Sequence, residues 1–250
     1  MRRIIIVILL FLPVLKAFSV NDSLYQSAIN LYETGQYEAS LAEYRELLSR
    51  GIESPLMYYN MGNAAYRSNH LGYSVLYYEK ALKLDPGFDD AAYNLRFVSQ
   101  FRSDKFEEVP ELFIRKWVRA AINVLPEKVW SLISLLLFSL FLSGILIYVF
   151  ARSLAFKKSG FFLALFSLLI FTFSILSASV QHRKISKPDK GVIIAPSVMV
   201  NSTPSESGND LFILHEGTKI SVGEEVSDWW NIKIIDGREG WIPAESFQSI

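Results

Sequence analysis

Two long runs without a charged side chain limit most strongly what this chain can fold into. Neither Val129–Ala151 nor Ser159–Gln181 contains an Asp, Glu, Lys, Arg or His. Each run exceeds the length of about 20 residues that an apolar helix needs to span the roughly 30 Å hydrocarbon core of a bilayer. Two buried helices of a soluble core are the alternative, but the rest of the chain is too short to enclose them. The runs therefore predict a transmembrane hairpin, with residues 152–158 as its connection.

Residues 1–19 predict that the chain is exported. Arg2 and Arg3 precede the apolar stretch Ile4–Leu15, and Ala17 and Ser19 form a small-x-small end. A positive start, a short apolar core and such an end are typical of a secretory signal peptide. An uncleaved anchor is the alternative, because a lysine stands close to the cleavage point. Both interpretations export the segment that follows.

The even number of spans places the segments before and after the hairpin on one side of the membrane. Basic residues flank both spans and also occur in the connection, and their count alone favours a connection outside the cytoplasm. We give more weight to the signal peptide, since it acts first during synthesis. We therefore expect a bacterial inner-membrane protein with a cytoplasmic connection and both soluble lobes in the periplasm.

Residues 20–109 carry an internal repeat, in which residues 21–54 align with residues 55–88. The same offset places Tyr25 on Tyr59 and Tyr59 on Tyr93, and it also places Asn60 on Asn94. With the small residue of Met61-Gly62 and the closing Pro86, this pattern resembles the tetratricopeptide repeat. The resemblance implies an all-α lobe of antiparallel helix pairs, here two full units and a partial third, with a concave face that binds a peptide or a partner helix.

Candidates to line that face lie on the first helix of each unit. Asparagine amides can pair with the backbone of an extended peptide. For each tyrosine, packing between helices is the alternative. The candidate partner-binding residues of this lobe are Asn60, Asn63, Asn94, Tyr25, Tyr59, Tyr66 and Tyr93.

Residues 110–128 predict an amphipathic linker helix before the first span. Apolar residues of Leu112–Leu125 recur at helical spacing, and prolines bound the segment. Such a helix lies on a membrane surface, and a helix packed on the repeat stack as its cap is the alternative. The candidates for membrane contact are Arg115, Lys116, Trp117 and Arg119. A second, basic linker, residues 182–190, follows the second span.

From residue 191 to residue 250, apolar residues alternate with polar ones. This alternation and the turn signal Asp236-Gly237 predict five short strands in a small barrel. Glu216-Gly217-Thr218, Trp229-Trp230 and Gly240-Trp241-Ile242-Pro243 resemble bacterial SH3-like domains. The resemblance implies a surface groove to which Trp229 contributes, whereas Trp230 and Trp241 are expected in the core.

Composition excludes several kinds of function. The chain has no cysteine, which removes disulfides, thiolate metal sites and a cysteine nucleophile, and its three histidines are far apart in sequence. The two soluble lobes are acidic, with 13 acidic against 8 basic residues in 20–109 and 9 against 3 in 191–250. Acidic lobes argue against nucleic-acid binding. No catalytic motif stands out, so we expect no enzyme, no cofactor and no metal.

The order of these segments resembles the BatE family of the bacterial aerotolerance (Bat) operon. The fold class predicted is a multidomain membrane protein with a tetratricopeptide-repeat lobe, a two-helix transmembrane hairpin and an SH3-like barrel. The resemblance implies a scaffold in the cell envelope whose partners are von Willebrand factor A-domain membrane proteins and a MoxR-type ATPase. The alternative is a cell-wall-associated protein whose SH3-like domain binds peptidoglycan.

Overall fold

A computed structural model describes residues 22–106, 112–186 and 189–250. The expected signal peptide lies outside the described residues. The chain divides into two compact units. The first holds the described residues of Met1–Ala81, Asp89–Glu107 and Lys190–Ile250, and the second holds those of Leu82–Phe88 and Glu108–Asp189.

Five helices form the repeat region. They are α1 (residues 22–33), α2 (Tyr37–Ser49), α3 (Pro55–Arg67), α4 (Leu71–Leu84) and α5 (Asp89–Ser99). Short turns separate them, and Gly35 takes a φ of 80° between α1 and α2, a conformation that favours glycine. At the start of α3, the Ser54 side chain accepts a hydrogen bond from the backbone N–H of Met57, and Pro55 occupies the first turn.

The paired helices approach each other at a small residue in each unit. A Cβ added to Gly62 would lie 2.6 Å from the ring of Tyr78, which is itself buried. Ser74 of α4 donates a hydrogen bond to the carbonyl of Gly62 (2.9 Å), and one repeat earlier Ser40 donates to the carbonyl of Ala28 (2.7 Å). The two buried serines thus satisfy their hydroxyl groups across each helix pair. Serine is tolerated there because it gains this bond.

The second unit of the structure contains two helices long and apolar enough to cross a membrane. The described helices of this unit are α6 (Phe113–Ile122), α7 (Glu127–Phe150) and α8 (Leu154–Ser186). Helix α8 begins inside the segment 152–158 that the sequence assigned to the connection. Ser153 caps its first turn by accepting from the N–H of Phe156 at 3.4 Å.

Two glycines let α7 and α8 pack closely. A Cβ added to Gly144 would lie 2.7 Å from the backbone N of Ala164, and one added to Gly160 would lie 2.6 Å from the backbone N of Tyr148. The obstructing atoms are backbone, so no side-chain rotation relieves the contact. Small residues at a contact between apolar helices allow this approach, as is common in membranes.

The C-terminal region is a seven-stranded antiparallel sheet with the order β3-β2-β6-β5-β4-β1-β7. Its strands are β1 (Lys190–Ile193), β2 (Ser197–Asn201), β3 (Asp210–His215), β4 (Lys219–Val226), β5 (Trp229–Lys233), β6 (Glu239–Pro243) and β7 (Phe247–Ser249). The predicted Asp236-Gly237 turn joins β5 to β6, with Gly237 at a φ of 95°.

The sheet has seven described strands rather than the predicted five, and it is open, so the predicted barrel is not shown. Strands β3 and β7 form its edges. The shortest strands are β1 and β7, which pair with each other through Gly191 and Ser249. Both are short, and sequence alternation is weak over three or four residues. Buried Ile193, Val200, Ile220, Ile232 and Ile242 belong to its core.

The sheet docks onto the repeat region within the first unit. The loop Glu216-Gly217-Thr218 takes part in this contact: the Glu216 carboxylate accepts from the N–H of Gly72, in the first turn of α4, at 3.0 Å. That N–H has no partner within its own helix, and a carboxylate there is favoured by the helix dipole. A Cβ added to Gly72 would lie 2.8 Å from the carbonyl oxygen of Ile193. The backbones therefore meet directly.

Asp104 makes three of the docking hydrogen bonds. Its carboxylate accepts from Thr218 Oγ1 (2.6 Å), from the N–H of His215 (2.7 Å) and from His215 Nδ1 (2.8 Å) when that nitrogen carries the proton. Burial raises the pKa of Asp104, but the bonds from Thr218 and His215 outweigh it, so the pKa lies below its usual value. Lys219 adds an ion pair with Glu79 at 2.6 Å. The docking is thus polar and charge-assisted.

Phe106 supplies the apolar part of the docking. Its ring packs against the core of the sheet, and the guanidinium of Arg238 lies 5.3 Å from it and 4.4 Å from the ring of Phe212. The third repeat unit consists of its first helix, α5, and residues 100–106 follow that helix in place of a second one. The sheet covers Val75 and the neighbouring surface of α4. It thus acts as the capping element of a repeat stack does.

The close approach at Gly62 predicts a loss of stability when a methyl group is added. We expect Gly62→Ala to lower the free energy of unfolding by about 1–3 kcal/mol, because Tyr78 is packed on its other sides. Gly87→Ala is the matched control, since its Cβ would meet no atom closer than 3.5 Å. It should change stability by no more than about 0.5 kcal/mol. Urea unfolding followed by circular dichroism measures both, and equal midpoints would contradict the packing.

The lowered pKa of Asp104 predicts a pH-dependent contribution to stability. A carboxylate with a lowered folded pKa stabilises fully above its unfolded value of about 3.9, and this stabilisation is lost as pH falls through the folded value. We expect Asp104→Asn to cost about 1.5–3 kcal/mol at pH 7. The gap in unfolding midpoint between the variant and the parent should narrow as pH falls below about 3.9, measured by urea unfolding with tryptophan fluorescence. The exposed Asp90→Asn is the control, and a gap that does not narrow would refute this account.

Candidate functional site

The candidate asparagines join one repeat unit to the next. Asn60 Nδ2 donates to the hydroxyl of Tyr25 at 3.3 Å, and one repeat later Asn94 Nδ2 donates to the hydroxyl of Tyr59 at 3.4 Å. Asn94 Nδ2 also lies 2.9 Å from Asn63 Oδ1. We call Tyr25, Tyr59, Asn60, Asn63 and Asn94 the asparagine brace. It repeats because the units repeat.

Buried tyrosines of the second helices complete this network. Tyr78 donates to Asn63 Oδ1 at 2.6 Å, and Asn94 Nδ2 lies 3.4 Å from the Tyr78 hydroxyl. Burial raises the pKa of Tyr44 to about 12, with a smaller opposing effect of a hydrogen bond from Asn60. Burial likewise raises the pKa of Tyr78. These hydroxyls therefore stay protonated at ordinary pH, and the network carries no charge.

The brace changes how the asparagines are interpreted. The sequence placed their amides on an open face, whereas in the structure Asn60, Asn63 and Asn94 are half-buried and hydrogen-bonded to neighbouring units. Their direct contact with a peptide stays a prediction. What the structure adds is that they hold the spacing between α1, α3 and α5.

An exposed group of aromatic rings lies on α3, on α5 and in the turn that follows α5. Tyr66, Phe97 and Phe101 are 37%, 41% and 55% exposed, and their ring centroids lie 5.2–6.3 Å apart. We call these three residues the aromatic patch. On α5, Tyr93 is 65% exposed. The sequence analysis proposed Tyr66 and Tyr93 but missed Phe97 and Phe101, because Phe101 lies in the turn after α5, outside the helical pattern.

Trp229 lies apart from that group, on β5 of the sheet. It is half-buried and stands opposite Val226 and Pro243 in the strand register. Trp230 packs against the sheet core, with its ring 5.9 Å from Phe247, as expected. Trp241 is half-buried and is not among the core residues. The participation of Trp229 in a groove stays a prediction.

Helix α6 carries the four predicted membrane-contact residues, and its apolar side chains are exposed except for that of Ile122, which is half-buried. None of its residues is buried, and Trp117 is 74% exposed. Arg115, Lys116 and Arg119 are exposed as well. Both interpretations of this segment, a helix on the membrane surface and a cap on the repeat stack, stay predictions.

A hydrogen-bonded corner, formed by Trp130 and Gln181, fixes the end of α6 to both long helices. Trp130 Nε1 of α7 donates to the carbonyl of Ile122 at 2.9 Å. Gln181 Nε2 of α8 donates to the carbonyls of Ile122 (2.5 Å) and Leu125 (2.8 Å). Gln181 is 3% exposed. The sequence analysis missed this role, although Gln181 is a polar residue at the end of an apolar run.

Comparison with known proteins identifies one part of the chain. The family model of the tetratricopeptide repeat matches residues 55–88. Residues 55–88 are a tetratricopeptide repeat. They comprise α3, α4 and the turn that follows, so the prediction is confirmed for this unit. A search of the curated proteins finds no match. In the part of the chain that the structure describes, no three His, Asp or Glu side chains group so as to hold a metal ion.

The brace predicts that Asn94 stabilises the repeat region. We expect Asn94→Ala to lower the free energy of unfolding by about 1–3 kcal/mol, because the buried hydroxyl of Tyr78 and Asn63 Oδ1 each lose a partner. The matched control is Asn30→Ala, an exposed asparagine on α1, which should have an effect of about 0.5 kcal/mol or less. Chemical unfolding compares the two, and equal stability would show that the brace contributes nothing.

Proposed function

We propose that this protein is a non-enzymatic scaffold that is anchored in a membrane and binds another protein through its repeat helices. The observation that carries the proposal is the aromatic patch on a tetratricopeptide-repeat framework. Such repeats generally mediate protein–protein interactions. Here the second helix of the matched repeat, α4, is docked against the sheet, whereas Tyr66, Phe97 and Phe101 leave large rings in solvent.

Exposed aromatic clusters favour the binding of a protein segment. Aromatic side chains carry much of the energy of protein interfaces because they bury large areas at a small cost in conformational entropy. The ring–ring contacts of the patch already restrict its side chains. A partner therefore meets a surface that needs little reordering. The asparagine brace links α3 and α5 by hydrogen bonds from Asn94 to Tyr59 and Asn63.

The membrane anchor in this proposal is the α7–α8 hairpin. Its two helices have mean hydropathies of 2.5 and 2.4, and only 6% and 22% of their most apolar segments are buried. Such helices within a soluble core would be covered by other elements, and these are not. The even number of crossings and the basic start of the chain support an orientation with both soluble lobes in the periplasm of a bacterial inner membrane.

The partners in this proposal are envelope proteins. The order of segments resembles the BatE family, which supports von Willebrand factor A-domain membrane proteins and a MoxR-type ATPase as the complex to test. We also propose that the C-terminal sheet is an SH3-like domain. The Trp229-Trp230 and Gly240-Trp241-Ile242-Pro243 motifs support this assignment. Its docking on α4 supports a role in holding the repeat region in shape.

A site-specific crosslinking experiment tests the proposed surface. A photo-reactive amino acid at position 97, in the full-length protein in its membrane, should crosslink to a protein partner such as a von Willebrand factor A-domain protein. The control position for the crosslinking is 213 on β3, where Ile213 is 49% exposed. We expect Phe97→Ala with Phe101→Ala to reduce partner binding at least tenfold, whereas Leu211→Ala with Ile213→Ala leaves it unchanged.

The opposite pattern would overturn the assignment. If the crosslink forms at position 213 and the α5 variant binds normally, the sheet is the binding surface. If purified peptidoglycan retains the protein and membrane proteins do not, the cell-wall alternative is correct. Circular dichroism of each variant shows whether its fold is intact.

A further inference from the structure

Helix α6 separates apolar and basic side chains onto opposite faces. Its apolar residues stand at positions 113, 114, 117, 118 and 121, which follow the three- and four-residue spacing of one helix face. The basic residues stand at 115, 116 and 119 on the other side, and Phe113–Ile122 contains no acidic residue. A helix of this kind is stable in water only when something covers its apolar face.

Nothing in the described part of the second unit covers that face. Phe113, Ile114, Trp117 and Val118 are each more than half exposed. Among the described rings, Trp117 makes an edge contact with its neighbour Phe113, with centroids 6.1 Å apart. The occupant of this surface therefore has to offer apolar groups and negative charge together.

The hydrogen-bonded corner fixes the position of the end of α6 relative to α7 and α8. Trp130 and Gln181 bind the carbonyls at the end of α6, one from each long apolar helix. Ile122 and Leu125 thereby stay at the ends of the apolar segments of α7 and α8. In a membrane this is the depth of the headgroups, where a tryptophan ring and an apolar helix face are most stable.

We propose that α6 binds the headgroups of anionic phospholipids, with its apolar face in the acyl boundary and with Arg115 and Lys116 against the phosphates. The inference rests on the proposed function in one respect, because it requires α7 and α8 to cross the membrane. Charge complementarity selects the lipid: a basic face without an acidic residue gains about fivefold in the binding equilibrium per charge near an anionic surface. Arg119 interacts elsewhere in the chain and is not needed for the argument.

The absence of cysteine from the chain makes a direct test possible. The full-length protein carries a single fluorescent label at Val118→Cys, Leu146→Cys or Ser207→Cys, and is reconstituted in bilayers of phosphatidylcholine with or without phosphatidylglycerol. Brominated lipids quench a label that lies in the membrane. Position 146 reports on the hairpin, and exposed position 207, in the loop between β2 and β3, reports on the aqueous phase.

We expect quenching at 118 and 146 but not at 207, and stronger quenching at 118 when phosphatidylglycerol is present. Arg115→Gln with Lys116→Gln should shift the label at 118 out of the anionic bilayer by about 25-fold in its equilibrium, from two charges at fivefold each. The matched control is Lys157→Gln with Lys158→Gln, two adjacent exposed lysines at the start of α8, which should leave the label at 118 unaffected.

Each other outcome contradicts a defined part of the argument. Quenching at 146 without quenching at 118 contradicts the binding of lipid by α6 but not the membrane anchor. This conclusion holds even if protein shields position 118 from water. Quenching at neither position overturns the anchor itself. Equal quenching at 118 in both bilayers, unchanged by the Arg115 and Lys116 variants, shows that the helix does not select anionic lipid.

Discussion

The arrangement of the first unit depends on a carboxylate at the start of a helix. Glu216 accepts the N–H of Gly72 at the beginning of α4, where a backbone donor lacks a partner within the helix. Asp104 then fixes neighbouring residues of the same loop region through Thr218 and His215. Together these contacts join segments that are far apart in the sequence. The repeat region gains a cover for α4, and the sheet gains a fixed support.

The surface used for docking and the exposed surface of the repeat region lie on different helices, which is why the proposed function uses the first helices. The second helix of the matched repeat uses its outer side for docking, through Gly72, Val75 and Glu79. The interior between units is occupied by the asparagine brace, whose hydroxyls and amides satisfy one another. The proposed function assigns to a partner the outward face of α3 and α5 together with the aromatic patch. In that proposal, binding and stability use different residues of the same region.

Much of this architecture could be predicted from the sequence, because periodic patterns are local. The repeat offset predicted the matched unit, and the two uncharged runs predicted α7 and α8. The docking could not be predicted, since a glutamate in a loop motif gives no sign that its partner is a helix 144 residues away. The brace was missed for a related reason: Asn60 and Asn94 are polar, and polarity suggests exposure until their tyrosine partners are known. Strands β1 and β7 were too short to show alternation.

Gln181 has a consequence for the order in which the chain folds. The first unit contains residues from before and after the α7–α8 hairpin. If the chain between positions 107 and 190 were unstructured, docking of the sheet on the repeat region would have to close a loop of that whole length. By bonding Ile122 and Leu125, Gln181 brings together positions that are 59 and 56 residues apart. The remaining loop is then on the order of 25 residues, which lowers the entropy cost of closing it by about 1 kcal/mol. Assembly of the hairpin thus shortens the loop that must be closed when the sheet docks on the repeat region.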